Sequence, residues 1–339
     1  DRSAAWAARI SVSRSGATAP ARIAWSRSAM ETPRSPTTKN RSGSPPGPHR
    51  ATVVFSHFSV FCWKRSHHCS ASRCRSAGSV ADKPGMAKSG LLPVVSIYST
   101  FLQRAIDQVV HDVAILNLPV IFGIDRGGLV EDGETHQGVF DIAFMRSIPN
   151  MRLFAPKDAT ELRNMLYTLV TEPTGPAAVR FPRDKAIDSD EYKPFARMEL
   201  AQWEEIQAGE EVCILAYGAM VEHCQNALPE LKRAGINPML INARSCKPLD
   251  NPMLERLFSN PNLKLVTAEE GCFAGGFGAA VLEWSAQLRA KQPSRKQPEI
   301  ACIAIPDNFV EHGARQILLD LNGLSSSKIT EFITQLVRG

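Results

Sequence analysis

From residue 93 onward the chain alternates short β-branched runs with segments of helical period, and this alternation restricts the fold more than any other feature. PVVSIY (93–98), PVIFGID (119–125), MRLFAP (151–156) and PAAVRF (176–181) are apolar at successive positions, the pattern of parallel strands buried on both faces. After the first run, Leu102, Ala105, Ile106, Val109, Val110 and Val113 recur at helical spacing, with Ser99 or Thr100 placed to cap that helix. Asp158 followed three residues later by Glu161 reads as a capping box for a helix running to about Val170. A second alternation passes through VCILAYG (212–218), PMLINA (238–243), LKLVTAEE (263–270) and EIACIAIP (299–306), with Gly235 as a helix C-cap. Strands alternating with helices predict sheets covered by helices on their faces, hence two α/β domains. The charged, weakly patterned stretch from Arg183 to about Ala208 is expected to link them.

Composition matters most before residue 86. Residues 1–85 hold 14 Lys and Arg against 3 acids, while 86–339 hold 25 against 31. The first segment is rich in Ser, Arg, Ala and Pro and poor in periodic apolar positions, so it is expected to be disordered or irregular. It superficially resembles a transit peptide, but the sequence opens at Asp1 without Met. A stretch translated from the wrong frame explains it better, and a nucleic-acid-binding basic arm is the lesser reading. The apolar-leaning run 51–63 is interrupted by Ser56, His57 and Ser59, short of the roughly 18 residues a spanning helix needs, so no membrane partner is expected. The eight cysteines form no CxxC pair, which predicts a reducing, cytoplasmic setting. The cluster Cys62, His67, His68, Cys69 and Cys74 lacks the regular spacing of a zinc site.

In open α/β sheets functional groups collect beyond the carboxyl ends of the strands. Two loops occupy that position. The first, 98–104, sets Tyr98, Phe101 and Arg104 close together, able to stack on a planar ring and pair with an anion; the plainer reading is a capped amphipathic helix. The second, 126–138, reads RGGLVEDGETHQG. Its four glycines let backbone approach a ligand, and Arg126, Asp132 and His136 offer an anion clamp, a hydroxyl acceptor and a proton-transfer group. Here the plainer reading is a glycine-rich surface turn. Glu269 and Glu270 beside Gly275 and Gly276 lack both a dinucleotide fingerprint and a P-loop lysine, so a strand end turning into a packed helix is expected. Asp307 and His312 are expected on an interdomain or subunit surface.

YSTFLQRAIDQ, IDRGGLVEDGETHQGVFD and RFPR, in that order, resemble the pyrimidine-binding domain of the 1-deoxy-D-xylulose-5-phosphate synthase family. RSCKPLD (244–250), TAEEGCFAGGFG (267–278) and AIPDNFVEHG (304–313) are similar to that family's C-terminal domain. The resemblance covers about 85–339 and implies an α/β fold of two largely parallel sheets. It places a transketolase-like pyrimidine-binding domain at 86–195 and a transketolase C-terminal domain at 196–339.

The implied activity condenses pyruvate with D-glyceraldehyde 3-phosphate, with decarboxylation, to give a precursor of isoprenoids, thiamin and pyridoxal. By the same resemblance, Phe101 lies against the aminopyrimidine of thiamin diphosphate with Tyr98 and Arg104 close by. Arg126 and Arg180 hold the substrate phosphate, and Asp132 and His136 meet the reacting substrate, with His136 moving the proton. The family's Gly-Asp-Gly and Asn, which hold Mg and the diphosphate, are not found in this sequence. At the distance of its activating Glu the sequence reads Cys74-Arg75-Ser76-Ala77-Gly78. The chain is therefore expected to be the rear half of a homodimeric enzyme, inactive by itself, with no metal ligands of its own. It would be cytoplasmic, or plastidic in a plant or alga. The alternative is a β-type subunit of a 2-oxo-acid dehydrogenase or of a split transketolase.

Overall fold

The computed structural model describes residues 80–185 and 194–338, together with the backbone of three short strands, β1 (Arg9–Val12), β2 (Ala51–Val54) and β3 (Val60–Lys64). The expectation for 1–85, including the Cys62 to Cys74 cluster, lies otherwise outside the described residues.

The first domain opens with α1 (Lys83–Lys88) and β4 (Leu91–Tyr98), which pairs in parallel with β5 (Ile121–Asp125). Between them the expected helix is assembled from unlike turns: α2 (Ser99–Leu102), a 3-10 turn (Gln103–Ala105), α3 (Ile106–Gln108) and a π-helical turn (Val109–Ala114). The apolar spacing still buries Leu102, Val109 and Val113 completely. Neither Ser99 nor Thr100 caps it. Tyr98 occupies the N-cap position but its side chain does not cap the helix, and the Thr100 hydroxyl is drawn instead to the carbonyl of Thr135, at 2.9 Å.

After α4 (Asp141–Ser147) come β6 (Arg152–Phe154), α5 (Ala159–Thr171) and β7 (Ala177–Arg180). The capping box at α5 is half as expected. Asp158 accepts from the Glu161 amide at 2.7 Å, but the Glu161 carboxylate reaches one residue further back and accepts from the amide of Lys157, at 2.6 Å. β5 and β6 both pair in parallel with β7.

The second domain contains β8 (Glu204–Gln207), β9 (Val212–Ala216), α6 (Met220–Arg233), β10 (Met239–Asn242), β11 (Ser245–Lys247) and α7 (Asn251–Leu257). β12 (Lys264–Cys272), α8 (Phe277–Lys291), β13 (Glu299–Ile305), α9 (Arg315–Leu321) and α10 (Ser326–Arg338) complete it. Its sheet runs β13-β12-β9-β10-β8, parallel except for β8, which lies antiparallel on β10. The stretch read as a linker thus includes a strand. Its charges mask it: an edge strand needs only backbone pairing, and Glu204 and Glu205 pair with Arg244 and Arg256 at 2.6 Å each. Gly235, at φ +84°, ends α6 with its amide on Lys232 O and that of Ile236 on Leu231 O, the expected C-terminal turn.

β11 does not join its own domain's sheet. It pairs antiparallel with β6, so the first sheet runs β11-β6-β7-β5-β4-β3. Side chains of both domains share one buried cluster, with Phe122, Met145 and Leu153 on one side and Tyr217, Phe258 and Phe277 on the other. Among the described residues no helix is long and apolar enough to cross a membrane.

Candidate active site at the edge of the first sheet

Because β4 and β5 are parallel neighbours with Tyr98 opposite Asp125, the two loops singled out in the sequence leave the sheet side by side. The chain turns sharply at Arg126, whose φ of +56° is uncommon for a residue with a side chain. Asp125 holds that turn, accepting from the Arg126 amide at 2.7 Å and pairing with its Nη1 at 3.3 Å. The Arg126 guanidinium lies over the Tyr98 ring, 3.7 Å from its centroid. Tyr98 stacks on Phe101 at 5.3 Å and 15°. His136 meets Phe101 edge-on at 5.7 Å, and the Arg104 guanidinium stands 5.9 Å from the same ring. Tyr98, Phe101, Arg104, Arg126 and His136 therefore form one column, in which Arg126 covers the Tyr98 end of the stacked ring pair and Arg104 and His136 meet its Phe101 end.

Glycines close the neck of the 126–138 loop. Gly128 and Gly138 exchange amide-to-carbonyl bonds at 2.7 and 2.8 Å, and a Cβ on Gly138 would overlap the Arg126 carbonyl. Gln137 staples the neck, accepting from the Val130 amide at 2.7 Å and donating to the Val130 carbonyl at 3.0 Å. His136 is fixed by its amide bond to Gly133 O and by the Thr135 hydroxyl 2.9 Å from Nδ1. Asp132 projects from the tip and pairs with Arg183 at 3.3 Å, both half-exposed.

Arg180 is not brought to this face. It is 3% exposed and lies beneath the loop, Nε 2.9 Å from both oxygens of the fully buried Asp141 and Nη2 donating to the carbonyls of Gly138 and Glu270. Burial opposes its charge, but Asp141 and Glu270 outweigh that and raise its pKa above the ordinary arginine value. Arg183, which the sequence reading passed over, is the arginine of RFPR that reaches the loop. The signal was present in the sequence. Pro182 ends the strand, which leaves the first arginine in the buried ladder and the second beyond its edge.

The second domain closes the site from below. Glu269, fully buried, caps α8 by accepting from the amides of Phe277 and Gly278 at 2.7 and 2.8 Å. Burial pushes its carboxyl up to about 7 against the pull of those amides. Glu270 accepts from the Leu129 amide at 2.7 Å and pairs with Arg315 at 2.8 Å, while His312 packs against Gly133. The reading of Glu269 and Glu270 as strand-end support thus describes their contacts, and His312 stands at the domain boundary. Among the described residues no group of three His, Cys, Asp or Glu stands together as a metal site.

Two family models match the chain: "Transketolase, pyrimidine binding domain" over 75–187 and "Transketolase, C-terminal domain" over 201–329. Curated relatives named 1-deoxy-D-xylulose-5-phosphate synthase include that of Dictyoglomus thermophilum, 44% identical over 254 residues, or 75% of this chain and 40% of the relative. That of Symbiobacterium thermophilum is 46% identical over 247 residues, or 73% and 37%. The chain therefore spans about 40% of the length of these relatives. Among solved structures, a chain titled split gene transketolase, inactive beta4 tetramer, superposes with a TM-score of 0.64 at 25% identity, covering 74% of this chain and 78% of that one. A transketolase from Campylobacter jejuni shares the fold, with a TM-score of 0.57 at 19% identity over 76% of this chain and 38% of that one.

Proposed function

The chain belongs to the transketolase family, as a pyrimidine-binding domain and a C-terminal domain related to the 1-deoxy-D-xylulose-5-phosphate synthases, and from this premise we propose that it supplies the pyrimidine and substrate side of such a synthase site. The observation that carries the proposal is the Arg126-Tyr98-Phe101-His136 column beside a glycine-closed loop.

The stacked pair Tyr98 and Phe101 fits a planar aminopyrimidine, with Arg104 at its rim. Thiamin diphosphate, when bound with Mg, supplies the electron sink for decarboxylating pyruvate and forming the new carbon–carbon bond. This chain's residues orient and protonate. Arg126 and Arg183 clamp the phosphate of glyceraldehyde 3-phosphate, and Arg180, committed to Asp141, carries the loop from beneath. His136 gives its proton to the aldehyde oxygen as that carbon is attacked, and Asp132 accepts from a substrate hydroxyl. Arg126 Nε, buried with no hydrogen-bond partner among the described residues, is a donor suited to that phosphate. The diphosphate half of the site is supplied by a segment other than residues 1–339, so this stretch alone makes no product. The five described cysteines, all free thiols, support a reducing compartment such as the cytoplasm.

A second reading, a subunit of a split transketolase, rests on the superposition on the split-gene chain, with a TM-score of 0.64 at 25% identity. Grafting residues 86–338 behind the front part of the Dictyoglomus thermophilum synthase separates the two. The graft should make 1-deoxy-D-xylulose 5-phosphate from pyruvate and glyceraldehyde 3-phosphate, while 1–339 alone should make none. A graft that instead exchanges two-carbon units between ketoses and aldoses supports the transketolase subunit, and product from 1–339 alone refutes the half-site.

A further inference from the structure

The 126–138 loop belongs to the first domain, yet outside its own neck much of its support comes from the second. Gln137 Nε2 donates to the Glu311 carbonyl at 3.3 Å, and the Gly313 amide donates to Glu131 O at 3.3 Å. The most buried of these contacts is Glu270. It sits at 1% exposure near the end of β12, and its Oε1 accepts from the Leu129 amide across 141 residues of chain. Its Oε2 pairs with Arg315 Nη2 at 2.8 Å, and its carbonyl accepts from Arg180 Nη2, which also holds Gly138. A buried carboxylate persists only where it is paired and hydrogen-bonded, and here both oxygens are.

The loop is shaped to receive it. Gly128 has φ +114°, a conformation that side-chain-bearing residues avoid, and a Cβ there would overlap the Glu270 carboxylate. The neighbouring carboxylate gives the contrast: Glu269 spends both oxygens on the amides of its own domain's helix α8. Of two adjacent buried acids, one caps a helix and the other crosses to the substrate loop.

We propose that Glu270, held in place by Arg315, is a positioning residue that fixes the loop bearing Arg126, Asp132 and His136, so that the second domain sets the geometry of the substrate side. This rests on the functional reading above for what the loop does, but not for the clamp itself.

Hydrogen exchange of the 339-residue chain, read at the Leu129 amide and over 126–138, tests it in E270A, E270Q, R315M and R315K. E270A should speed loop exchange tenfold or more while β5 and β9 keep their protection. E270Q, which retains an acceptor for Leu129 but not the charge, should fall between. R315K, which keeps the cation, should lie nearer to the native chain than R315M. As a second measure, glycerol 3-phosphate titrated by NMR should bind about tenfold more weakly to E270A than to the native chain. Unchanged loop exchange in E270A overturns the proposal, as does a rise spread evenly over both sheets. Should E270A fail to fold, identical loop exchange in R315K and R315M overturns it. If loop exchange responds as expected but the native chain does not bind glycerol 3-phosphate, the clamp stands and the functional reading falls.

Discussion

Replacing Arg180 with methionine separates a strut from a ligand-binding arginine. The substitution keeps much of the side-chain volume but leaves Asp141, with no exposed surface, as a buried carboxylate without its cation. Breaking a buried pair from one side costs about 3–5 kcal/mol. The Glu270 carbonyl loses a donor in the same step, at about 1–3 kcal/mol if left unsatisfied, while the Gly138 carbonyl keeps its bond from the Gly128 amide; the losses are not additive. The expected destabilisation of R180M is therefore at least about 3 kcal/mol. D141N in the same background should recover part of it, because the charge is then gone. The comparison is R183M, which removes a pair 45% and 42% exposed. Its cost should stay below about 1 kcal/mol, with glycerol 3-phosphate binding weakened about tenfold. Urea denaturation followed by circular dichroism gives the stabilities, and titration gives the affinities. If R180M costs less than about 1 kcal/mol and it is R180M, not R183M, that loses phosphate affinity, the assignment of the two arginines is reversed.

Glu269 makes stability fall with rising pH. Its folded pKa of about 7 lies above the ordinary 4.5, so the native form holds a proton the unfolded chain releases, and up to about 3 kcal/mol is lost as pH climbs from about 4.5 through 7. Glu161, also raised by burial, adds in the same direction. Urea midpoints at pH 5 and pH 8 should therefore differ less in E269Q than in the native chain, and equal differences would count against this. Gly128→Ala should destabilise by about 1–3 kcal/mol, the cost of a disallowed φ, and accelerate exchange at Leu129; a neutral result would mean the neck is looser than described. Phe101→Ala should weaken thiamin binding about tenfold in the grafted enzyme while the melting temperature moves by no more than a few degrees, since Phe101 is only half-buried. Unchanged affinity would remove the ring from the cofactor site.

The residues that proved readable are those whose signal is local. Each apolar run contained a strand because burial on both faces imposes a continuous pattern, and Gly235 and Asp158 marked helix ends because capping chemistry acts within a few residues. The column was foreseeable for the same reason: Tyr98, Phe101 and Arg104 share one short stretch, and parallel pairing brings Arg126 beside it. What escaped was set by tertiary contact. β8 is polar because its charges find Arg244 and Arg256, far along the chain. Arg180, given the phosphate by resemblance, has its guanidinium on Asp141, a contact 39 residues apart that no local pattern discloses. Thr100 is drawn to Thr135 and does not cap the helix after Tyr98, and that partner no local pattern discloses.

The pairing of β11 with β6 bears on how such a protein comes apart. A three-residue strand from one domain finishes the other's sheet, so a break in the peptide between the domains would not yield two independent modules. The first would be released with β6 as a bare rim, its amides and carbonyls ready to recruit a strand from another copy. Expressed together, the two pieces should instead find each other, because the missing rim is a template that only one partner in the mixture is shaped to fill. The domain boundary is thus a place where the gene can be divided but the folded body cannot.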